Sequence, residues 1–267
     1  MTDARVHAWL AVRGPLERQL APIGRAVIDR LALLPGEHVL DLGCGIARTT
    51  ETLADIVGPG GRVTGVDPLH AAIEVRLPET AHLPHVDHIV GDAQTLTFDG
   101  RYDAAFSRFG VMFFADPVTA FANIREALRP GGRFGFVCWR SLADNDLDAF
   151  PLHAASPCLP RELVADAERA DHFSFADPDF LFKTLEAAGF TGITVEPVDI
   201  ATCAGSLTDT IDLSLRFGSL GRIVREHPDY RTEAEALLEA AFHARSGSCD
   251  PVLRAATWIV RATTPPR

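Results

Sequence analysis

The sequence predicts an α/β chain in which a mostly parallel sheet carries helices on both faces. Three observations lead there. Val39, Leu40 and Leu42 form a short apolar run, the pattern of a strand buried on both sides. Gly43 and Gly45 follow with the backbone freedom for a tight turn into a helix. Strand-like and helix-like segments then alternate through Trp139, punctuated by Gly, Pro and Asp.

Composition narrows the class. A length of 267 residues with 47% apolar content suits one large α/β domain or one domain with an insertion. Net charge is −11, from 25 Lys and Arg against 36 Asp and Glu, and no basic face is evident, so a nucleic-acid partner is not expected. Cys44, Cys138, Cys158, Cys203 and Cys249 form neither a paired framework nor a C-x-x-C clip, which points to a reducing cytoplasm and no metal. Arg5, Arg13, Glu17 and Arg18 interrupt the first 20 residues, so no signal peptide is expected. No run of about 18 apolar residues predicts a membrane span.

In chain order, residues 4–34 read as helical, with Val6, Trp9, Leu10, Leu16, Leu20, Ile23, Val27, Ile28 and Leu31 near helical spacing, divided by Gly14-Pro15 and Pro22. After the first strand, Arg48 to Val57 form a helix and Arg62 to Val66 a second strand closing on Asp67. Asp67 stands 26 positions after Asp41, where α/β nucleoside sites place a ribose ligand, the reading taken here; the alternative, before Pro68, is a helix N-cap. A short helix over Leu69 to Arg76 precedes a third strand, Val86 to Val90, with Pro78 and Pro84 between them. His82, His85 and His88 would face one metal only on a helix, which Pro84 opposes. Tyr102 to Ser107 form the fourth strand. Asp116-Pro117 opens a helix to Leu128, and Arg129-Pro130-Gly131-Gly132 turns into a fifth strand, Arg133 to Trp139.

The glycine turn discriminates between ligands. A dinucleotide fingerprint needs glycine where Arg48 stands, and would set a pyrophosphate beside Asp41; that carboxylate suits a cationic ligand instead. VLDLGCGIART (residues 39–49) resembles the first motif of class I methyltransferases dependent on S-adenosylmethionine (SAM), with Ala47 where that motif usually has glycine. VTGVDP, VGDAQ, YDAAFSRFGVMFF and LRPGGRFGFVCW follow in the family's order and at βα spacing. The resemblance implies a Rossmann-like, seven-stranded, mostly parallel sheet whose last strand runs antiparallel between two parallel ones. It implies SAM as cofactor, S-adenosylhomocysteine as product, and contacts from Asp41, Gly43, Cys44, Gly45, Asp67, Pro68, Asp92, Ala93, Ser107 and Arg108. Asp92 would accept from the adenine amino group; a turn role after Gly91 is the alternative.

The same resemblance organises the chain as a helical lid (1–34), a core (35–140), a lid insertion (141–175) and a C-terminal part of the core (176–267) with a helical cap at 206–247. Trp9, Arg13 and Arg18 become lid candidates. A helix from Pro178 to Ala188, a strand from Ile193 to Ala201, helices at 207–218 and 230–245 and a strand from Ala255 to Thr263 complete it.

Relatives acting on small molecules often carry a histidine near Met112 and Phe113, where this chain is apolar. Phe109, Met112 and Phe113 then wall a substrate pocket or belong to ordinary core. Arg108 either orients an acidic acceptor or pairs with Asp103. His153, His172, Tyr230, His243, Asp144 and Asp146 are the candidate bases. The expected function is methyl transfer to O, N or C of a small, partly apolar molecule, as in bacterial enzymes similar to ubiquinone and menaquinone C-methyltransferases or natural-product enzymes. The alternatives are SAM-using cyclisation or rearrangement, and SAM binding without catalysis. A homodimer is left open.

Overall fold

The computed structural model describes residues 6, 9–98, 102–167 and 170–266. The start of the expected N-terminal helix at residues 4, 5, 7 and 8, and Arg169 in the expected lid insertion, lie outside them. In chain order the elements are α1 (Arg13–Leu31), β1 (His38–Leu42), α2 (Thr49–Val57), β2 (Arg62–Asp67), α3 (His70–Thr80), β3 (Val86–Val90), β4 (Tyr102–Arg108), α4 (Pro117–Ala127) and β5 (Leu128–Trp139). Then come α5 (Asp146–Ala155), α6 (Arg161–Asp166), α7 (Pro178–Ala187), β6 (Thr191–Thr202), α8 (Leu207–Ser214), α9 (Gly218–Glu226), α10 (Arg231–Ser246) and β7 (Leu253–Thr263).

The strands form one seven-stranded sheet in the order β3-β2-β1-β4-β5-β7-β6. Strands β1 to β5 pair in parallel, and β7 runs antiparallel to both β5 and β6, the arrangement the resemblance implied. Period-2 alternation divides the core between the two faces. Leu40, Leu42, Phe134 and Phe136 meet Phe121 and Ile124 of α4 and Leu181 and Leu185 of α7. Val39, Val63, Phe106 and Val137 meet Ile23, Val27 and Leu31 of α1 and Leu53 and Val57 of α2. Helix α1 lies so near the sheet that a Cβ on Gly135 would stand 2.7 Å from Leu31 Cγ. The insertion helices α5, α9 and α10 build a further core from Leu152, Leu220, Ile223, Leu238 and Phe242. Trp139, at the end of β5, packs against all three clusters.

Some boundaries differ from expectation. Helix α1 runs unbroken from Arg13 with Pro22 inside it, because its buried face of Ile23, Val27 and Leu31 outweighs the missing N–H. Helix α3 continues past Arg76 to Thr80 and contains Pro78; Arg76, completely buried, bonds to Glu79 within that last turn and to Glu51 of α2. Strand β5 starts at Leu128 because Leu128 already pairs with Tyr102 before the Pro-Gly-Gly irregularity. As expected, Asp116 caps α4, accepting from Thr119 N at 3.1 Å. His85 Nε2 faces the Ala54 carbonyl at 3.3 Å and His88 Nε2 meets Thr80 Oγ1 at 3.0 Å, so two of the three histidines have separate partners. Among the described residues no group of three side chains is placed to hold a metal, and no helix is long and apolar enough to cross a membrane.

Asp41 fastens β1 to α2. Its carboxylate, 1% exposed, accepts from Thr49 Oγ1 at 2.7 Å and Thr50 Oγ1 at 2.8 Å. Burial raises its pKa from 3.8 to about 6, against the lowering effect of the two hydroxyls and of Arg108.

Two stability outcomes are expected. Phe121 is fully buried with ring centroids 5.6 to 5.9 Å from Phe134, Phe136 and Phe175, so Phe121→Ala should cost about 3–5 kcal/mol in denaturant unfolding. A raised carboxylate pKa means the folded state binds the extra proton, so Asp41's contribution is full below pH 4 and falls as pH rises through about 6. The stability difference between wild type and Asp41→Asn should therefore move against wild type by on the order of 1–3 kcal/mol across that window. A difference that stays constant with pH would rule the titration out.

Candidate cofactor and acceptor site

The site gathers at the C-terminal ends of the parallel strands, where open α/β sheets bind ligands. The turn after β1 starts with Gly43 and Gly45, both left-handed at φ +68° and +52°. Its amides are tied to the next strand: Gly43 N and Cys44 N both donate to Val66 O, at 2.8 and 3.2 Å. Cys44 contributes backbone only, since its thiol is buried and burial pushes its pKa up. Beyond β4, Gly110 lies directly on this turn. A Cβ on Gly43 would stand 2.9 Å from Gly110 Cα, and one on Gly110 would stand 2.9 Å from Leu42 O. Ser107, also buried, donates its hydroxyl to the same Leu42 carbonyl at 2.8 Å.

Asp67 ends β2 beside the turn and is 6% exposed. One carboxylate oxygen accepts from Gly45 N at 2.9 Å and the other from Leu69 N at 2.8 Å. Burial raises this carboxyl despite those two bonds. The N-cap and ligand readings are compatible, because a carboxylate offers about four lone-pair sites and two are used. Gly45 has open space towards it: an added Cβ would find nothing nearer than Asp67 Oδ2, at 3.9 Å. A glycine that leaves room before an acceptor carboxylate is the cradle a ribose requires, so the residues present fit SAM. Pro68 is exposed next to it. Asp92, exposed at the end of β3, forms the turn envisaged, with Gln94 N donating to Oδ1 at 2.9 Å; Ala93 is buried, its carbonyl held by Asn123.

Arg108 does not pair with Asp103, one of the two alternatives the sequence offered. Its guanidinium holds Glu17 of α1 through bonds of 3.0 and 2.9 Å, while Asp103 binds His38 N and Arg129. Burial would raise the Glu17 carboxyl, but Arg108, the Arg48 N–H and Arg13 bring it below its ordinary value. Helix α1 is thereby pinned over the turn. The three lid candidates add further ties. Trp9 packs with Val6 and Leu10 on Ile46, Leu69 and Ala72, Arg13 binds Glu79 at 2.6 Å, and Arg18 binds Asp209 of α8 at 2.9 Å. Nothing in the sequence singled out Glu17. Four residues from Arg13, it reads as half of an ordinary helix-surface pair.

Phe109, a non-glycine residue at φ +63°, turns the chain after β4 and stacks on Trp139, with centroids 3.9 Å apart and planes at 19°. Such a conformation costs on the order of 1–3 kcal/mol and is kept where surrounding contacts impose it. Met112 is buried and Phe113 exposed. Of the candidate bases, Asp144 binds Ser141 and Arg140, Asp146 binds Arg245 and Arg254, and His153 lines an open cavity with Asp146 and Arg254. His243 is exposed on α10, and Tyr230 stands just before it beside His227. His172 meets Asp148 of α5 at 2.9 Å, a partner the sequence did not suggest.

A family model for a methyltransferase domain matches residues 39–132. The demethylmenaquinone methyltransferase of Staphylococcus aureus is 33% identical over 182 residues, which span 64% of this chain and 75% of that enzyme. Two Streptomyces proteins match about 43% of this chain. They are an uncharacterized protein of Streptomyces fradiae (42% identical) and an aklanonic acid methyltransferase (35%), and the matches span only 34% and 54% of their lengths. A phosphoethanolamine N-methyltransferase of Haemonchus contortus, solved with S-adenosylhomocysteine, shares the fold at a TM-score of 0.61 and 17% identity, over 100% of this chain and 58% of that one. With the turn, the acid closing β2 and this strand order in place, the chain belongs to the class I SAM-dependent methyltransferases.

Proposed function

We propose that this chain moves the methyl group of SAM to O, N or C of a small, partly apolar acceptor. The observation that carries the reading is Asp67 facing the open side of Gly45, a carboxylate with lone pairs to spare at the end of β2. When bound, SAM supplies a sulfonium-activated methyl group. The chain's first contribution is placement: methyl transfer is an in-line displacement that needs no nucleophilic side chain and gains from the two reactants being held in line. Asp67 would hold the ribose hydroxyls, and the turn amides and Gly110 fix the backbone walls. The Phe109–Trp139 stack offers an apolar surface for the acceptor. Helix α1, held by Glu17 and Arg13, excludes water, with the insertion helices as its counterpart.

Calorimetric titration of the full chain with SAM and S-adenosylhomocysteine, then mass analysis after incubation with phenols, quinols and amino acids, tests this. Binding with an acceptor gaining one methylene in mass supports it; binding with no such gain moves the assignment to a non-methylating SAM reaction. Asp67→Ala should weaken SAM binding by about 1–3 kcal/mol with the fold intact. Unchanged affinity in the folded variant would remove Asp67 from the site. Gly110→Ala, whose methyl presses on Leu42 O, should lower SAM affinity about tenfold or more, and normal binding there would mean that the turn yields freely.

A further inference from the structure

We propose that His172, oriented by Asp148, is the proton acceptor for the methyl acceptor, an assignment that rests on the methyl-transfer reading above. The turn after β4 carries no base at Met112 or Phe113, yet the fold brings the segment that carries His172 against it from the insertion. Ser174 Oγ donates to Met112 O at 2.7 Å, fastening residues 172–174 against that turn. Phe173 is buried in the insertion core, to which Trp139 also packs.

Asp148 is held independently of the histidine. Its Oδ1 accepts from Ser219 N at 2.8 Å and its Oδ2 from Ser219 Oγ at 3.1 Å, at the N-terminus of α9. Gly218, left-handed at φ +66°, leaves room for it; a Cβ there would collide with Asp148 Oδ1. The carboxylate is 9% exposed. Asp148 already serves the helix end by accepting from Ser219 N, and that capping role does not call for His172. The bond to Nε2 makes that nitrogen the donor, which leaves the Nδ1 lone pair as acceptor, and Nδ1 has no hydrogen bond among the described residues. Asp148 is a positioning residue: it fixes tautomer and ring direction, as a carboxylate does for a general base.

The step balances simply. The acceptor's O–H or N–H proton passes to His172 Nδ1. The freed electron pair forms the bond to the methyl carbon, and the carbon–sulfur pair leaves on sulfur as a neutral thioether. The imidazolium then returns its proton to solvent.

Two measurements test this on the full chain. In ¹⁵N-histidine spectra at neutral pH, the signal lost in His172→Gln should be that of the Nε2–H tautomer; an Nδ1–H tautomer overturns the assignment. With an acceptor that wild type methylates, His172→Gln should lower kcat about 100-fold or more while SAM affinity stays unchanged. The loss should be large for an un-ionised phenol and largely absent for a nitrophenol already ionised at the assay pH, a contrast that a structural defect would not produce. Equal losses for both, or none, would refute the role of His172 while methyl transfer stands. A wild type that binds SAM but methylates nothing in the panel overturns the methyl-transfer reading, and this assignment with it.

Discussion

The backbone contact between Gly43 and Gly110 is the constraint on which the site depends. Two loops from adjacent strands approach within the space of one methyl group. Once they do, the chain leaving β4 has little room to turn, and Phe109 takes a left-handed conformation that a side chain ordinarily avoids. The stack on Trp139 offsets that strain, since an aromatic pair contributes about 0.5–1.5 kcal/mol beyond its buried area. Trp139 in turn touches both sheet faces and the insertion core, so the contact between two glycines fixes where the insertion sits.

Charge holds what packing leaves open. Glu17 to Arg108, Arg13 to Glu79, and Arg76 to Glu79 and Glu51 form ion pairs that tie α1, α2 and α3 around the glycine turn. The guanidinium groups of Arg76 and Arg108 are buried, and such pairs add little net stability, because desolvation offsets most of the attraction, but breaking one leaves a charge stranded at several kcal/mol. They are better suited to fixing geometry than to stabilising the fold. Here the geometry fixed is the position of α1 over Arg108 and the end of the glycine turn at Arg48. An apolar contact set alone would let that helix slide; paired guanidinium and carboxylate forks are directional.

The core was legible because its signals are local. Val39 to Leu42 and the two glycines after them declare strand and turn within a few residues, Asp67 closes the next strand, and β3 spans Val86–Val90 as expected. The site's long-range parts were not. For Arg108 the sequence offered an acidic acceptor or Asp103, five residues away, as partner, and the fold brings it Glu17, 91 residues away. Pro22 and Pro78 read as breaks, but buried faces on α1 and the Arg76 pairing outweigh a single lost backbone bond. Asp148 carries no mark in sequence, because its partners come from a loop 24 residues on and a helix start 71 residues on. Periodicity reports which face is buried; it says nothing of which charge another segment will bring.

The separation of cores has a chemical consequence. Asp67, Gly45 and the Gly43–Gly110 contact belong to the sheet, where a shift of one strand would disturb every neighbour, so the cofactor side of the site is held rigidly. On the proposed reading the acceptor side would draw on α5, α9 and α10, whose side chains pack chiefly on one another and meet the sheet at Trp139 and at Leu253 of β7. Substitutions in that second core can change which molecule is admitted without altering the cofactor turn. This is the arrangement expected where one scaffold serves many acceptors, because binding of the shared cofactor and recognition of the variable partner rest on different sets of contacts.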